Sequence, residues 1–325
     1  MTIIDVHNHY YPPAFLDALR QGPSAITVTD DADGNPVLHS PGDYNVAVRG
    51  HRDIAYREEV LDREGIDRQL LTLTCPGTVL ETPARSVALA RLVNDALAEI
   101  MATRGDRFTA LATLPLNDPA ASVVEFERIT AMGFRGVQVF GNVNGVALAD
   151  RRYWPLWERA SDAGAVMYIH PTFPLGVAAM EEYWLMPLVG FLMDTTLAAA
   201  HLVFSGVAER YPNIRWVLGH LGGTIPYLAE RLDRGWENFA DCRKDLSQPP
   251  SRYLKRFYYD TVNFDPDALR LAIAFAGVDQ ILAGSDYPHQ IGSIPKMLSS
   301  IRSLGLGAAD EALILGGNAA RLLGR

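Results

Sequence analysis

Eight short apolar runs alternate with longer amphipathic segments along this chain, and that rhythm constrains its fold more than any other feature. The runs fall at about residues 3–9, 68–74, 108–114, 134–140, 165–170, 214–219, 257–262 and 279–285. Most are near-continuous in apolar residues, the mark of strands buried on both faces. Helices are expected at 53–65, 84–104, 117–132, 153–163, 190–211, 224–240 and 265–276, with two more at 293–303 and 308–323. Asn117-Asp118-Pro119 and Asp265-Pro266-Asp267 each set a capping residue before a proline able to start a helix. Gly133, Gly164 and Gly277 fall where helices should stop before the next strand. Eight strands with helical crossovers specify an α/β fold, with a (β/α)8 TIM barrel as first choice. A doubly wound open sheet is the rival.

Residues 20–50 break the rhythm. Gly22, Pro23, Asp30-Asp31, Gly34-Asn35-Pro36 and Pro41-Gly42 leave little helical period. Ile26–Thr29 and Pro36–His39 read as two short strands around an Asp-Gly-Asn turn, a small insertion after the first strand. No repeat or linker appears, so the expectation is one domain over residues 1–325. The net charge of -9 argues against a nucleic-acid binder, which needs a basic stripe. Cys75 and Cys242 stand far apart, which speaks against a disulfide framework or a thiolate zinc site. The apolar stretch from Trp184 to Phe204 is broken by Pro187, Asp194 and His201, and reads as a buried helix rather than a membrane span. A soluble cytoplasmic enzyme is the expectation.

The polar residues that close these strands carry the chemistry. Ile3-Ile4-Asp5-Val6-His7-Asn8-His9 runs an apolar stretch into two histidines two residues apart. In a strand such residues share a face and lie about 6.5–7 Å apart, close enough to converge on one ion. His170 ends the fifth run, His220 the sixth, and Asp286 follows the eighth. A closed barrel brings side chains from strands 1, 5, 6 and 8 together at its mouth, whereas an open sheet spreads them over its width. Imidazole and carboxylate together suit Zn²⁺, Mn²⁺ or Fe²⁺. Asp5 shares the parity of His7 and His9 and should point inward, deeper than they do. Tyr10, Tyr11, Phe140, Phe173, Trp184 and Tyr287 adjoin strand ends or the loop after His170, and together would suit a flat, conjugated acid. His289 follows Asp286 closely and is a candidate substrate contact. His39, His51 and His201 have no supporting pattern and are read as structural.

The Asp5-x-His7-x-His9 start, Ile169-His170-Pro171, Gly219-His220-Leu221-Gly222-Gly223 and Gly284-Ser285-Asp286-Tyr287-Pro288 resemble the amidohydrolase superfamily. More narrowly they resemble its aminocarboxymuconate-semialdehyde decarboxylase branch, which also holds γ-resorcylate and carboxyvanillate decarboxylases. The likeness runs from residue 3 to Gly317-Asn318-Ala319-Ala320-Arg321-Leu322. It implies His7, His9, His170 and Asp286 as metal ligands and His220 as a catalytic acid/base beside them. The fourth strand ends Val137-Gln138-Val139-Phe140 without a lysine, so one divalent metal is expected, Zn²⁺ before Mn²⁺. The resemblance also implies substrate-binding arginines. Arg231 matches one such position, and in relatives it can serve the partner subunit, so a homodimer is implied. The other position falls near Asn45, with Arg49 or Arg52 as substitutes.

Two chemistries share this constellation. The first is non-oxidative decarboxylation of an unsaturated or aromatic carboxylic acid, in which the metal stabilises charge and His220 or Asp286 moves a proton. The second is metal-assisted hydrolysis of an ester, lactone, amide or C–C bond, or the related hydration of a double bond. A metal-free ligand-binding barrel is a third reading, against which the full set of candidate ligands speaks.

Overall fold

In the computed structural model, which describes residues 2–40 and 43–324, the eight apolar runs become eight parallel strands. They are β1 (Ile4–His9), β2 (Arg68–Thr72), β3 (Phe108–Ala110), β4 (Gly136–Phe140), β5 (Val166–His170), β6 (Arg215–Leu218), β7 (Tyr258–Asp260) and β8 (Ile281–Leu282). Hydrogen-bonded neighbours follow chain order, from β1–β2–β3 and from β4 through to β8. Two seams close the cylinder. Ala112, just past β3, bridges Val137 of β4. Val6 N–H donates to the Ala283 carbonyl (2.8 Å) and His9 N–H to that of Tyr287 (2.8 Å), joining β1 to the β8 end. The result is the (β/α)8 barrel, with every strand's C-terminal end at one mouth.

Helix boundaries follow the capping chemistry. Asp53 accepts from Tyr56 N–H (3.0 Å) to start α1 (Ile54–Glu64), which stops at Gly65 with a left-handed φ of 70°. Helix α2 is Pro83–Thr103. Asp118 caps α3 (Pro119–Ala131) through Ala121 N–H (3.0 Å). Next come α4 (Trp154–Asp162), α5 (Phe191–Phe204) and α6 (Ile225–Asn238). Asp265 caps α7 (Pro266–Ala276), and α8 spans Ile294–Arg302. Helix α5 extends the Met186–Gly190 turn, and the joined Met186–Phe204 stretch is long and apolar enough to cross a membrane. Here it packs on the barrel, burying Ala198, Ala199, Leu202 and Val203. Its buried Asp194 accepts from Thr172 N–H (2.9 Å) and Asn142 Nδ2–H (2.8 Å).

Three local features differ from the sequence-based expectation. A short helix, Pro13–Arg20, precedes the 20–50 region. Within that region a third strand adds to the two expected, giving an antiparallel sheet of Thr27–Asp30, Pro36–Ser40 and Asp43–Val46. Its Pro41-Gly42 step lies outside the described residues. The third difference matters most. Register slips between Asp5 and Asn8, so β1 does not alternate strictly. Ile4 and Val6 join the apolar cluster of Leu70, Leu111, Val166, Tyr168, Val217 and Leu282, which the C-terminal Ala319, Leu322 and Leu323 also join. Asp5 turns the other way, accepting from Gln69 Nε2–H (2.8 Å), Ser285 Oγ–H (2.7 Å) and Ser285 N–H (3.0 Å). It braces the residue before Asp286 and does not share a face with His7.

Gly136 tests the β4–β5 pairing. A Cβ there would overlap the Val166 carbonyl, a backbone group the ladder cannot move. Gly136→Ala should lower unfolding free energy by about 1–3 kcal/mol in urea titrations, while Gly307→Ala, which meets open space, should be near neutral.

Candidate metal centre and its cavity

At the mouth, four imidazoles and one carboxylate meet, all buried. One potential ligand atom each from His7, His170, His220 and Asp286 lies within 4.8 Å of the others, and His9, Asp286 and His289 form an overlapping group. His9 Nε2 is 3.0 Å from Asp286 Oδ1, and His7 Nε2 is 3.5 Å from the same oxygen. The ring pairs His7–His9, His9–His170 and His7–His220 have centroids 5.0, 4.8 and 4.8 Å apart.

Hydrogen bonds on the far ring nitrogens set which atoms face inward. His7 Nδ1–H donates to Asp260 Oδ2 (2.5 Å). His170 Nδ1–H donates to the Pro171 carbonyl (2.8 Å). His9 Nδ1 lies toward Thr72 Oγ1 (3.4 Å). Each of the three thus turns Nε2 toward the centre. His7 Nε2 and His220 Nδ1 are buried nitrogens without a hydrogen-bond partner among the described residues. Unpaired imidazole nitrogens grouped round a carboxylate fit a divalent cation, because a cation satisfies lone pairs that would otherwise be buried at a cost.

Asp260, at the end of β7, organises this floor. Besides His7 it accepts from Tyr168 Oη–H (2.6 Å), Val262 N–H (2.9 Å), Leu221 N–H (3.0 Å) and His220 N–H (3.1 Å). His220 and Leu221 hold left-handed backbone at φ 52° and 56°, and Asp286 at 59°. Such conformations are costly for non-glycine residues and persist where surrounding bonds enforce them. Here the Asp260 carboxylate enforces the first two. The His7 carbonyl, which accepts from Asp286 N–H (2.7 Å), enforces the third. Sequence reading passed over Asp260, although it ends its strand in the same position as the residues it supports.

Burial and mutual repulsion hold His9 and His170 well below the usual imidazole range, so both stay neutral and keep their lone pairs. His220 is pushed down to about 4 by burial and by the neighbouring His7. Burial works against His7 too, but Asp260 outweighs it and the His7 value rises. Asp260 is likewise opposed by burial, yet the adjacent His7 brings it to about 2.

Above this floor opens a cavity of about 630 Å³. Trp184 and His289 line it beside His170, His220 and Asp286. The sheet of the 20–50 region contributes Tyr44 and Asn45, and α5 contributes Phe191. Trp184 and Tyr44 meet edge to face at 5.5 Å across the rim. Eight candidates are not part of this wall: Tyr11, Phe140, Tyr287 and Arg52, whose Nε–H donates to the Ala47 carbonyl (3.0 Å), and four more whose surroundings are as follows. Tyr10 is buried against the Arg57 guanidinium (5.7 Å). Phe173 is off the wall, its carbonyl accepting from Asn142 Nδ2–H (2.9 Å). Arg49 is exposed, paired with Asp53 (2.8 Å) and stacked over Tyr56 (4.5 Å). Arg231 is exposed on α6, away from its own cavity.

Comparison with known proteins places this site in context. A family model described as Amidohydrolase matches residues 4–325. The 2-amino-3-carboxymuconate-6-semialdehyde decarboxylase of Dictyostelium discoideum is 31% identical over 273 residues, covering 82% of this chain and 76% of that protein. The γ-resorcylate decarboxylase of a Polaromonas species is 31% identical over 281 residues, covering 82% and 86%. Among solved structures, 5-carboxyvanillate decarboxylase of Sphingomonas paucimobilis superposes with a TM-score of 0.87 at 28% identity over 99% of this chain and 98% of that one. A Polaromonas dihydroxybenzoic acid decarboxylase, solved with manganese and the inhibitor 2-nitroresorcinol, gives 0.83 at 27% identity over 99% and 97%.

Two measurements probe the floor. Asp260→Asn should weaken divalent-metal binding about 10- to 100-fold in equilibrium dialysis, because the partner that orients His7 is lost. In chelator-stripped protein, His220 binds fewer protons folded than unfolded between about 4 and the ordinary 6.5. Stability should therefore fall as pH drops from about 6.5 through 4. For this group the limit is roughly 3 kcal/mol, and His220→Asn should flatten that part of the profile.

Proposed function

The chain belongs to the amidohydrolase family, and on that footing we propose that it is a metal-dependent decarboxylase. Its substrate is an aromatic or unsaturated carboxylic acid, and the reaction involves no net oxidation. One observation carries the reading: His7, His9, His170, His220 and Asp286 converge on the floor of a cavity walled by Tyr44, Trp184 and Phe191, planar side chains suited to a flat acid. Relatives named as decarboxylases of γ-resorcylate, 6-methylsalicylic acid and 5-carboxyvanillate support the same chemistry.

His7, His9, His170 and Asp286 hold the metal. Zinc suits so imidazole-rich a set, and the manganese bound in the Polaromonas neighbour supports manganese as the alternative. A cation held by these residues would supply Lewis acidity toward a substrate oxygen. The balance of the reaction is R–CO₂⁻ plus H⁺ giving R–H plus CO₂: the electron pair of the broken C–C bond stays on carbon, and one proton must reach that carbon. His220 is placed to move it. Its Nδ1 is buried without a partner among the described residues and its ring borders the cavity, which puts it in reach of a proton at the reacting carbon. Asp286, on the same floor, is the second group in reach. Trp184 and His289 contact substrate. Arg231 is exposed on α6, and we read it as serving a second copy, which makes a homodimer of single-domain subunits part of the proposal.

The test is CO₂ release from 2,6-dihydroxybenzoate and 6-methylsalicylate by protein reconstituted with zinc or manganese. His220→Ala should retain metal but lose about 10²- to 10⁴-fold in kcat. Metal-loaded protein that cleaves esters or amides and releases no CO₂ from any aromatic acid would move the assignment to hydrolysis.

A further inference from the structure

His51 is the polar group for which the metal centre has no use. It is 1% exposed, both its ring nitrogens lack a hydrogen-bond partner among the described residues, and it lines the cavity. His39, in contrast, is bonded to Thr29 Oγ1 (2.8 Å), and His201 is exposed on α5. A buried imidazole with neither nitrogen paired costs free energy unless something entering the cavity meets it.

The fold holds the backbone of this turn in place. His51 N–H donates to the Val48 carbonyl (2.8 Å), and its own carbonyl accepts from Tyr11 N–H (2.7 Å). The carbonyl of Gly50 accepts two bonds from the fully buried Arg57, from Nε (3.1 Å) and Nη2 (2.9 Å). Arg57 also donates to Asn8 Oδ1 (2.6 Å) and to the carbonyl of His9, tying this turn to the metal-bearing strand. Gly50 is required there, because the Tyr287 hydroxyl occupies the space a Cβ would need. The His51 ring is 5.0 Å from that of His289, which is 4.7 Å from His9, so imidazoles form a continuous wall from the floor upward.

The polar groups that share the cavity with them are uncharged or acidic. Asn45 Nδ2–H is already donated to the Cys75 carbonyl (2.9 Å), and Thr74 Oγ1 lies 3.4 Å from His289 Nε2. Asp31 and Asp33 stand among the lining residues, and no lysine or arginine does among the described residues. A second carboxylate on the substrate would meet acceptors of its own sign and no countercharge from this chain. A hydroxyl both donates and accepts, which matches a neutral imidazole offering one donor and one acceptor. Resting on the decarboxylase reading above, we propose that His51 is a substrate-binding residue that hydrogen-bonds a ring hydroxyl of the acid held at the metal centre.

The experiment titrates metal-loaded wild type, His51→Phe and His51→Gln with benzoate, 2-, 3- and 4-hydroxybenzoate and 2,6-dihydroxybenzoate, reading binding by calorimetry and CO₂ release in parallel. In wild type at least one hydroxylated acid should bind more tightly than benzoate. His51→Phe should weaken that acid roughly three- to tenfold and leave benzoate within about twofold, while His51→Gln, which keeps a donor and an acceptor, should recover most of the loss. Equal weakening of all ligands, or no change for any, overturns the proposal in favour of a structural histidine. Hydroxyl-selective binding that depends on His51 but comes without CO₂ release upholds His51 and overturns the decarboxylase assignment. Failure of wild type to bind any of these acids overturns both.

Discussion

A single buried carboxylate, Asp260, holds the working end of this barrel together. It receives donors from three strand ends: the His7 ring from β1, the Tyr168 hydroxyl from β5, and the backbone of His220 and Leu221 after β6. Removing a carboxylate from water is expensive, and only such a set of donors makes the charged form tolerable. In return, the charge fixes the tautomer of His7 and holds two consecutive residues in left-handed backbone. Without it neither the Nε2 of His7 nor the ring of His220 has a reason to face the centre.

A second buried charge mirrors the first on the other flank. Arg57, on α1, spends its guanidinium on the carbonyls of His9 and Gly50 and on the side chains of Asn8 and Gln69. Gln69 in turn donates to Asp5, which accepts from Ser285 beside Asp286. One continuous polar network therefore connects the turn bearing His51, the strand bearing His7 and His9, and the loop bearing Asp286. Strain at His220, Leu221 and Asp286 is concentrated where the chemistry is, and the closed cylinder beneath supplies the rigidity that maintains it.

Much of this was legible along the chain. Near-continuous apolar runs located all eight strands, because a strand covered on both faces can hold few polar residues until it emerges at the mouth. For the same reason, polar residues closing those runs singled out His7, His9, His170, His220 and Asp286. The same rule applied to Asp260, but an aspartate after two tyrosines does not announce five donors. The parity argument for Asp5 failed because a β-bulge is a property of the pairing between strands, invisible in one strand's alternation. Arg49 carried the charge expected of a substrate ligand, yet the turn containing it points Arg49 at Asp53 and aims His51, two positions on, at the cavity.

Sequence alone determined the class of fold, the order of its elements and the residue types available at the mouth, since periodicity, capping and burial are local and additive along the chain. Only the tertiary structure decided which of those residues face one another, which ring nitrogen each histidine presents, and which aromatics form the cavity wall. Those outcomes depend on strand register, barrel closure and hydrogen bonds between groups tens to hundreds of residues apart, as in the bond from His7 to Asp260, whose partners are separated by 253 positions.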